Sequence, residues 1–248
     1  MARELYDTIG RGYTRHRGEE PRIAARIHAA LGDARTVVNV GAGAGAYEPR
    51  DRDVLAIEPS EVMLAQRPPG AARALSGSAD ALPLGDGAVD AAMSVLSDHH
   101  WPDRVKGLGE MRRVARQRVV VFQFEPAEFE NSWLVRDYLT GFDPDPFGVA
   151  EISEAIGATR VEPVPIPHDC RDGFMHAYWR RPEAYLDPGV RDAISVFRLL
   201  PAEEVSAAIE RLRADLESGE WHRRNAAILD RDELDLGYRL IVAEKDPA

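Results

Sequence analysis

The spacing of apolar and polar positions changes several times along the chain, and each change predicts an element. Ile23, Ile27 and Leu31 recur on one helical face, so residues 22–31 read as a helix with Pro21 in its first turn. The β-branched run Thr36–Val40 reads as a first strand and residues 53–57 as a second. Ser60 can cap a short helix through Arg67 before Pro68 and Pro69 stop it, and a weaker strand follows at 73–75. Residues 89–96 show little alternation, the pattern of a strand buried on both faces. Val105, Leu108, Met111 and Val114 form a helical stripe, followed by a strand over 118–124. Further on, 152–156 reads as helix and 161–166 as extended chain, with Pro163 and Pro165 holding it to a sheet edge. Several helices fill 171–232, and 236–244 reads as a final strand. Strands alternating with helices imply an α/β fold with a doubly wound, mainly parallel sheet. No flexible linker flanks the late helical block, so it reads as an insertion over the sheet's ligand edge.

The first strand ends in Gly41, Gly43 and Gly45, and the second in Glu58, about 17 positions past Gly41. Alternate glycines let backbone N–H groups approach a ligand, and an acid at the next strand end can accept hydrogen bonds from both hydroxyls of a ribose. This is a nucleoside-binding pattern. Gly41, Gly43 and Ala46 also satisfy the dinucleotide fingerprint, which keeps a nicotinamide cofactor as an alternative. Pro49 and the charged residues 50–53 leave room for only about one helical turn after the glycines. A helix so short makes a poor pyrophosphate cradle, but it suffices for a ligand whose tail is an amino acid.

Charge and cysteine content narrow the partners. The formal net charge of −11 argues against nucleic acid and anionic membrane surfaces, both of which need a basic face. Cys170 is the single cysteine, so neither an intrachain disulfide nor a multi-cysteine zinc site can form. With no apolar signal core at the start and no stretch of membrane-spanning length, a cytoplasmic protein is expected. No histidine–carboxylate spacing points to a metal.

Further motifs follow in order: Gly77-Ser78-Ala79-Asp80-Ala81-Leu82-Pro83-Leu84, then residues 86–96, then Ser97-Asp98-His99-His100-Trp101-Pro102-Asp103. Together with the glycine loop and Glu58-Pro59-Ser60, they resemble the class I S-adenosylmethionine-dependent methyltransferases, of the small-molecule type. Tyr6-Asp7 and Tyr13 to Arg17 resemble that family's N-terminal cofactor-covering segment. The resemblance spans about residues 1–125.

It implies a single domain with a seven-stranded Rossmann-like sheet and S-adenosyl-L-methionine as cofactor. Residues 1–35 would be covering helices, 36–167 the cofactor-binding core, 168–235 a helical insertion capping the substrate, and 236–248 the final strand. Gly41, Gly43 and Gly45 would border the methionine and ribose portions, and Glu58, with Pro59 beside it, would hold the ribose. Asp80 would accept from the adenine amino group, with Ala81 and Leu82 near the ring. Ser94 would end the fourth strand beneath the sulfonium, and Tyr13 and Arg17 would cover the cofactor. Two departures stand out: Asn39 occupies the place of a usual acid, and the interval from loop to Glu58 is short by about one helical turn.

The expected chemistry is in-line transfer of a methyl group to oxygen, nitrogen or carbon of a small molecule. For a hydroxyl or carbon acid the protein must also supply a base. His100, just past the fourth strand, is the first candidate, with Trp101 as a pocket wall. His168, beside Asp169, is the second candidate, as base or substrate anchor. Cys170 reads as a packed thiol, and Tyr178, Trp179 and Trp221 as either an aromatic lid or core. The alternatives are an NAD(P)-dependent oxidoreductase and a protein of this fold that binds the cofactor without transferring methyl.

Overall fold

The computed structural model describes residues 15–129 and 132–245. Its centre is a seven-stranded sheet built from β1 (Thr36–Val40), β2 (Asp53–Glu58), β3 (Arg73–Ser76), β4 (Val89–Val95), β5 (Ala115–Phe124), β6 (Arg160–Pro163) and β9 (Tyr238–Glu244). The order across the sheet is β3-β2-β1-β4-β5-β9-β6. Strands β1 to β5 run parallel, while β9 is antiparallel to both β5 and β6. The proline-bearing β6 lies at the edge, where a missing N–H costs no ladder bond. Two short strands, β7 (Ile166–Pro167) and β8 (Glu233–Leu234), pair on their own.

Successive residues of the central strands serve opposite faces. Val38, Val40, Ala92, Val119, Val121 and Ile241 pack against Leu108, Met111 and Val114 of α3 (Arg104–Val114) and against Ile152 and Ile156 of α6 (Val149–Ile156). Val37, Ala91, Met93, Val120, Phe122, Leu240 and Val242 face α1 (Pro21–Ala30) and the late helical block. The result is a three-layer α/β sandwich. The side chain of Glu20 caps α1 by accepting from the Arg22 N–H, and Pro21 opens its first turn. In α3 the buried face is Gly107, Leu108, Met111 and Val114, while Val105 is exposed. The glycine takes the place the stripe assigned to Val105, because Trp101 packs where a side chain at 107 would stand.

Two local differences from the sequence expectations bear on the site. The helix after Ser60, α2, is a single turn, Glu61–Leu64, with the Ser60 hydroxyl accepting from the Met63 N–H at 3.3 Å. Between β1 and β2 there is no helix at all, only turns over 41–52. Gly41, Gly43, Gly45 and Tyr47 have φ of 69°, 52°, 92° and 65°, and alternating left-handed residues cannot continue a right-handed helix.

Past β5 the chain forms short helices, α4 (Pro126–Phe129) and α5 (Trp133–Asp137), before α6. The block between β7 and β8 holds α7 (Pro188–Asp192), α8 (Val196–Leu199), α9 (Ala202–Glu217) and α10 (Glu220–Arg224), with one 3-10 turn before them and one after. Its interior is aromatic. Trp133 stands edge-on to Trp221 at 5.2 Å and to Tyr185 at 5.7 Å, and the Trp133 and Trp179 indoles donate to the carbonyls of Trp179 and Ile166. Trp179 and Trp221 are therefore core residues, not a lid. Among the described residues no helix is long and apolar enough to cross a membrane.

Candidate functional site

A cavity of about 410 Å³ opens above the carboxyl ends of β1 to β4, the edge where open parallel sheets bind ligands. Its wall is made by the loop after β1 (41–44, 46 and 47), by 58–60 after β2, by 76–79 after β3, and by 95–97 and 100–102 after β4. Arg17, Asn39, Met63 and Asp172 complete it.

The glycine loop is held against the end of β2, which accepts from its backbone donors. The Gly41 and Ala42 N–H groups donate to the Ile57 carbonyl at 2.9 and 3.1 Å. A Cβ on Gly41 would overlap the Ser97 hydroxyl and lie 2.9 Å from the Ser97 Cβ, so only glycine lets this turn approach the β4 end. Gly45 plays a different part. It does not line the cavity; a Cβ there would crowd Arg67 and Glu48, at 3.1 and 3.2 Å.

Glu58 is buried at the end of β2 and faces the cavity. Its two oxygens are held by backbone: Oε2 accepts from the Gly43 N–H at 2.8 Å and Oε1 from the Ser60 N–H at 2.9 Å. The carboxylate thereby joins the glycine loop to the start of α2. Pro59 lines the cavity beside it.

The polar residue in place of the usual acid has a local explanation. Asn39 Nδ2 donates to Glu48 Oε1 at 3.2 Å, and Glu48 is in turn paired with Arg67 at 2.7 Å, both side chains 7% exposed. An aspartate at 39 could not donate and would put a second carboxylate against Glu48. Arg67 also donates to the carbonyl of Ala72 at 3.0 Å and reaches that of Gly43 at 3.4 Å, so this pair braces the loop that lacks a helix.

Beyond β3, Ser78 and Ala79 line the cavity, while Asp80, Ala81 and Leu82, expected at the adenine, do not. Asp80 accepts from the Ser78 hydroxyl and lies 3.9 Å from Lys106 Nζ. Ala81 is exposed, and buried Leu82 belongs to the core, its N–H donating to Glu110 at 2.9 Å. Ser94 is buried in β4 without a partner for its hydroxyl and does not reach the cavity; Val95 and Leu96 do. Leu96 is held at φ 48°, so two non-glycine residues in the left-handed region, Tyr47 and Leu96, both border the cavity. Such strain persists only where surrounding contacts over-determine it.

His100 lines the cavity, with Trp101 beside it donating to the Ser97 hydroxyl at 3.2 Å. Behind His100 is His99, ring centroids 3.8 Å apart, whose Nδ1 lies 3.0 Å from Gln123 Nε2. Gln123 also donates to the buried Asp98, which is paired with Arg104 at 2.7 Å. Desolvation, together with the charge of Arg104, lowers the pKa of His99. Desolvation and the neighbouring His99 hold His100 well below the ordinary histidine range, with Asp98 opposing. Both imidazoles are neutral near pH 7.

The structure does not bring His168 to this cavity. It follows β7 and is tied by its backbone N–H to the Asp232 carbonyl at 2.9 Å, while Asp169 pairs with Arg22. Cys170 is a buried thiol donating to the Asp172 carbonyl, pushed up to about 12 by burial and the Asp172 charge. Tyr178 lies outside the cavity wall, as do Trp179 and Trp221. Tyr13 falls outside the described residues.

Sequence reasoning missed Asp172, which is 1% exposed and borders the cavity. Oδ1 accepts from Arg17 Nε at 2.6 Å and from the Gly18 N–H at 3.3 Å; Oδ2 accepts from the Tyr47 hydroxyl at 2.8 Å. Gly173 makes the approach of this segment possible, since a Cβ there would overlap the His16 carbonyl, to which its N–H donates. In the sequence, Asp172-Gly173 carries only a turn signal.

Comparison with known proteins agrees with this geometry. Residues 38–122 match the family model described as a methyltransferase domain. The chain shares 34% identity with a proposed methyltransferase from an antibiotic biosynthesis pathway of Anabaena variabilis ATCC 29413, over 90% of this chain and 97% of that one, with a TM-score of 0.79. The fold is also that of geranyl diphosphate C-methyltransferase from Streptomyces coelicolor A3(2), solved with S-adenosyl-L-homocysteine (18% identity, 91% and 79% covered, TM-score 0.52). It is equally that of the [4+2]-cyclase SpnF (18% identity, 92% and 81% covered, TM-score 0.56). No curated protein sequence matches the chain. The dinucleotide alternative lacks the helix start on which a pyrophosphate site relies. From the close relative, the matched domain and the fold, the chain belongs to the class I S-adenosylmethionine-dependent methyltransferases.

Proposed function

We propose that the cavity over β1–β4 is the cofactor site and that the protein methylates a small molecule in the space beside it, at oxygen, nitrogen or carbon. Glu58 carries this reading. A buried carboxylate facing a cavity at the end of β2, with each oxygen oriented by a backbone N–H, is placed where the two hydroxyls of a ribose would meet it. Gly41 and Gly43 present backbone without side chains to the cavity, as a ligand that must approach the chain closely requires. The cavity volume is also ordinary for a small-ligand site.

In this reading Gly41, Gly43 and Asn39 would border the amino-acid portion, and Arg17 would cover it. Ser78 and Ala79 would meet the adenine, with Asp80, Ala81 and Leu82 supporting them, and Trp101 would wall the pocket. S-adenosylmethionine, when bound, supplies the electrophilic methyl group. The chain's own task is to align the acceptor and exclude water. His100 is the cavity-lining candidate to receive the proton of a hydroxyl or carbon acid. Burial keeps its imidazole neutral, the form that accepts a hydrogen bond from that group and takes up its proton as the methyl group is transferred. The insertion reaches the cavity through Asp172, which supports its place as a cap over the sheet's ligand edge. The acidic composition and the single buried cysteine support a cytoplasmic, small-molecule setting.

Calorimetric titration with S-adenosylmethionine and S-adenosylhomocysteine, with NAD and NADP as controls, tests the site; absence of binding by the sulfur ligands would refute it. An acceptor screen followed by His100→Ala tests the rest. Transfer should slow while S-adenosylhomocysteine affinity stays within about twofold, since the side chain holds the acceptor and not the cofactor.

A further inference from the structure

We infer that Asp172 and Arg17 form a receptor for a zwitterion, with Asp172 taking the ammonium of the cofactor's α-amino-acid end and Arg17 its carboxylate. The inference rests on the cofactor reading of the cavity. It starts from a missing charge: where the family resemblance leads one to expect an acid, Asn39 is neutral, and its amide N–H is committed to Glu48. Glu48 is neutralised by Arg67 and is not part of the cavity wall. Among the described residues of the wall, Glu58 and Asp172 are the two acids, and Glu58 belongs to the ribose.

Asp172 stands at the glycine-loop end, joined to Tyr47 of that loop and to Arg17. Each of its oxygens accepts two hydrogen bonds: Oδ1 from Arg17 Nε at 2.6 Å and the Gly18 N–H at 3.3 Å, Oδ2 from the Tyr47 hydroxyl at 2.8 Å and Arg17 Nη2 at 3.4 Å, the longest of the four. A carboxylate oxygen offers two lone pairs, so an ammonium N–H enters at Oδ2 by replacing that longest bond as Arg17 Nη2 turns to the ligand's carboxylate. The adjacent opposite charges of Arg17 and Asp172 complement the adjacent opposite charges of an α-amino acid. An ammonium placed in a largely buried cavity without a carboxylate would be costly.

The test crosses residue with ligand group, by calorimetry. The ligands are S-adenosylhomocysteine, its analogue lacking the α-amino group, and 5′-methylthioadenosine, which has no amino-acid tail; the proteins are wild type and Asp172→Asn. Wild type should prefer S-adenosylhomocysteine over the desamino analogue by about tenfold or more. Asp172→Asn should erase that preference and leave 5′-methylthioadenosine within about twofold of wild type. Equal loss for all three ligands would make Asp172 a structural brace and overturn the proposal, as would an undiminished preference. If Asp172→Asn does not fold, Asp172→Ser enters the same cycle, and equal wild-type affinity for the first two ligands overturns the proposal without any variant. Wild type binding none of the three would instead refute the cavity reading beneath it.

Discussion

Replacing Glu58 by glutamine separates two duties that this carboxylate performs at once. In the ligand-free protein its oxygens accept from the Gly43 and Ser60 N–H groups, at 2.8 and 2.9 Å, in a buried position. In Glu58→Gln one of these oxygens becomes an NH₂ that faces a backbone N–H, donor against donor. An unsatisfied buried N–H costs about 1–3 kcal/mol, and the surviving bond loses its charge assistance, roughly another 1 kcal/mol. The ligand-free variant should therefore be destabilised by about 2–4 kcal/mol in urea unfolding followed by tryptophan fluorescence. Binding adds a separate loss. Ribose hydroxyls that met a charged acceptor now meet a neutral one, so S-adenosylhomocysteine affinity should fall about tenfold by calorimetry, and further in Glu58→Ala. Unchanged unfolding would show that the carboxylate does not hold the loop. Unchanged affinity would refute the ribose assignment.

Gly41→Ala should destabilise by about 3–4 kcal/mol, from the left-handed φ and the displacement of Ser97 from its bond with Trp101; urea unfolding reads the loss, and Ser97→Gly in the same chain should recover the steric part. Asp90 anchors the start of β4 to the Arg35 and Thr36 N–H groups. Burial would raise its pKa, but these bonds, the Thr36 hydroxyl and Arg116 outweigh it and hold it at about 2. A depressed carboxylate stabilises above its unfolded value and loses that stability as pH falls, so about 2 kcal/mol should disappear between pH 4 and 2 and be absent from Asp90→Asn. His176 behaves in the opposite sense. Burial alone lowers it to about 3, with Nε2 unpartnered, so the unfolded chain takes up a proton below about pH 6.5 that the folded chain refuses. Thermal unfolding of His176→Leu should thus lose less stability between pH 7.5 and 5 than wild type.

Much of the sheet was readable from the chain because parallel strands buried on both faces leave uninterrupted β-branched runs; residues 36–40 form the strand they predict. Arg17, Gly41, Gly43, Glu58, Pro59 and His100, singled out from sequence, all border the cavity. Other features had no local signal. Nothing in the order of residues marks Tyr47 as left-handed, a residue whose hydroxyl donates to Asp172 and whose carbonyl meets His28, both far away in the chain. Glu48 and Arg67 each look like solvated charges until the fold buries them together. His168 and Asp169 do approach each other at 3.6 Å, but Asp169 is held more closely by Arg22 and the two lie outside the cavity wall, which their adjacency in sequence could not tell. Asp172 meets Arg17 across a separation of 155 residues, a contact that no window-based pattern contains.

That long separation limits how the protein can be taken apart or rebuilt. Arg17, Tyr47 and Asp172 come from the chain's beginning, its first loop and its late helical block, so the end of the cavity is closed by contacts of high sequence separation. Contacts of this kind carry the loop-closure entropy of most of the chain and form late in folding. The late block is consequently not an exchangeable module. A chimera that swaps it to change acceptor preference must carry Asp172 and Gly173 with it, and a chain stopped before them would retain the sheet's first strands without a finished pocket.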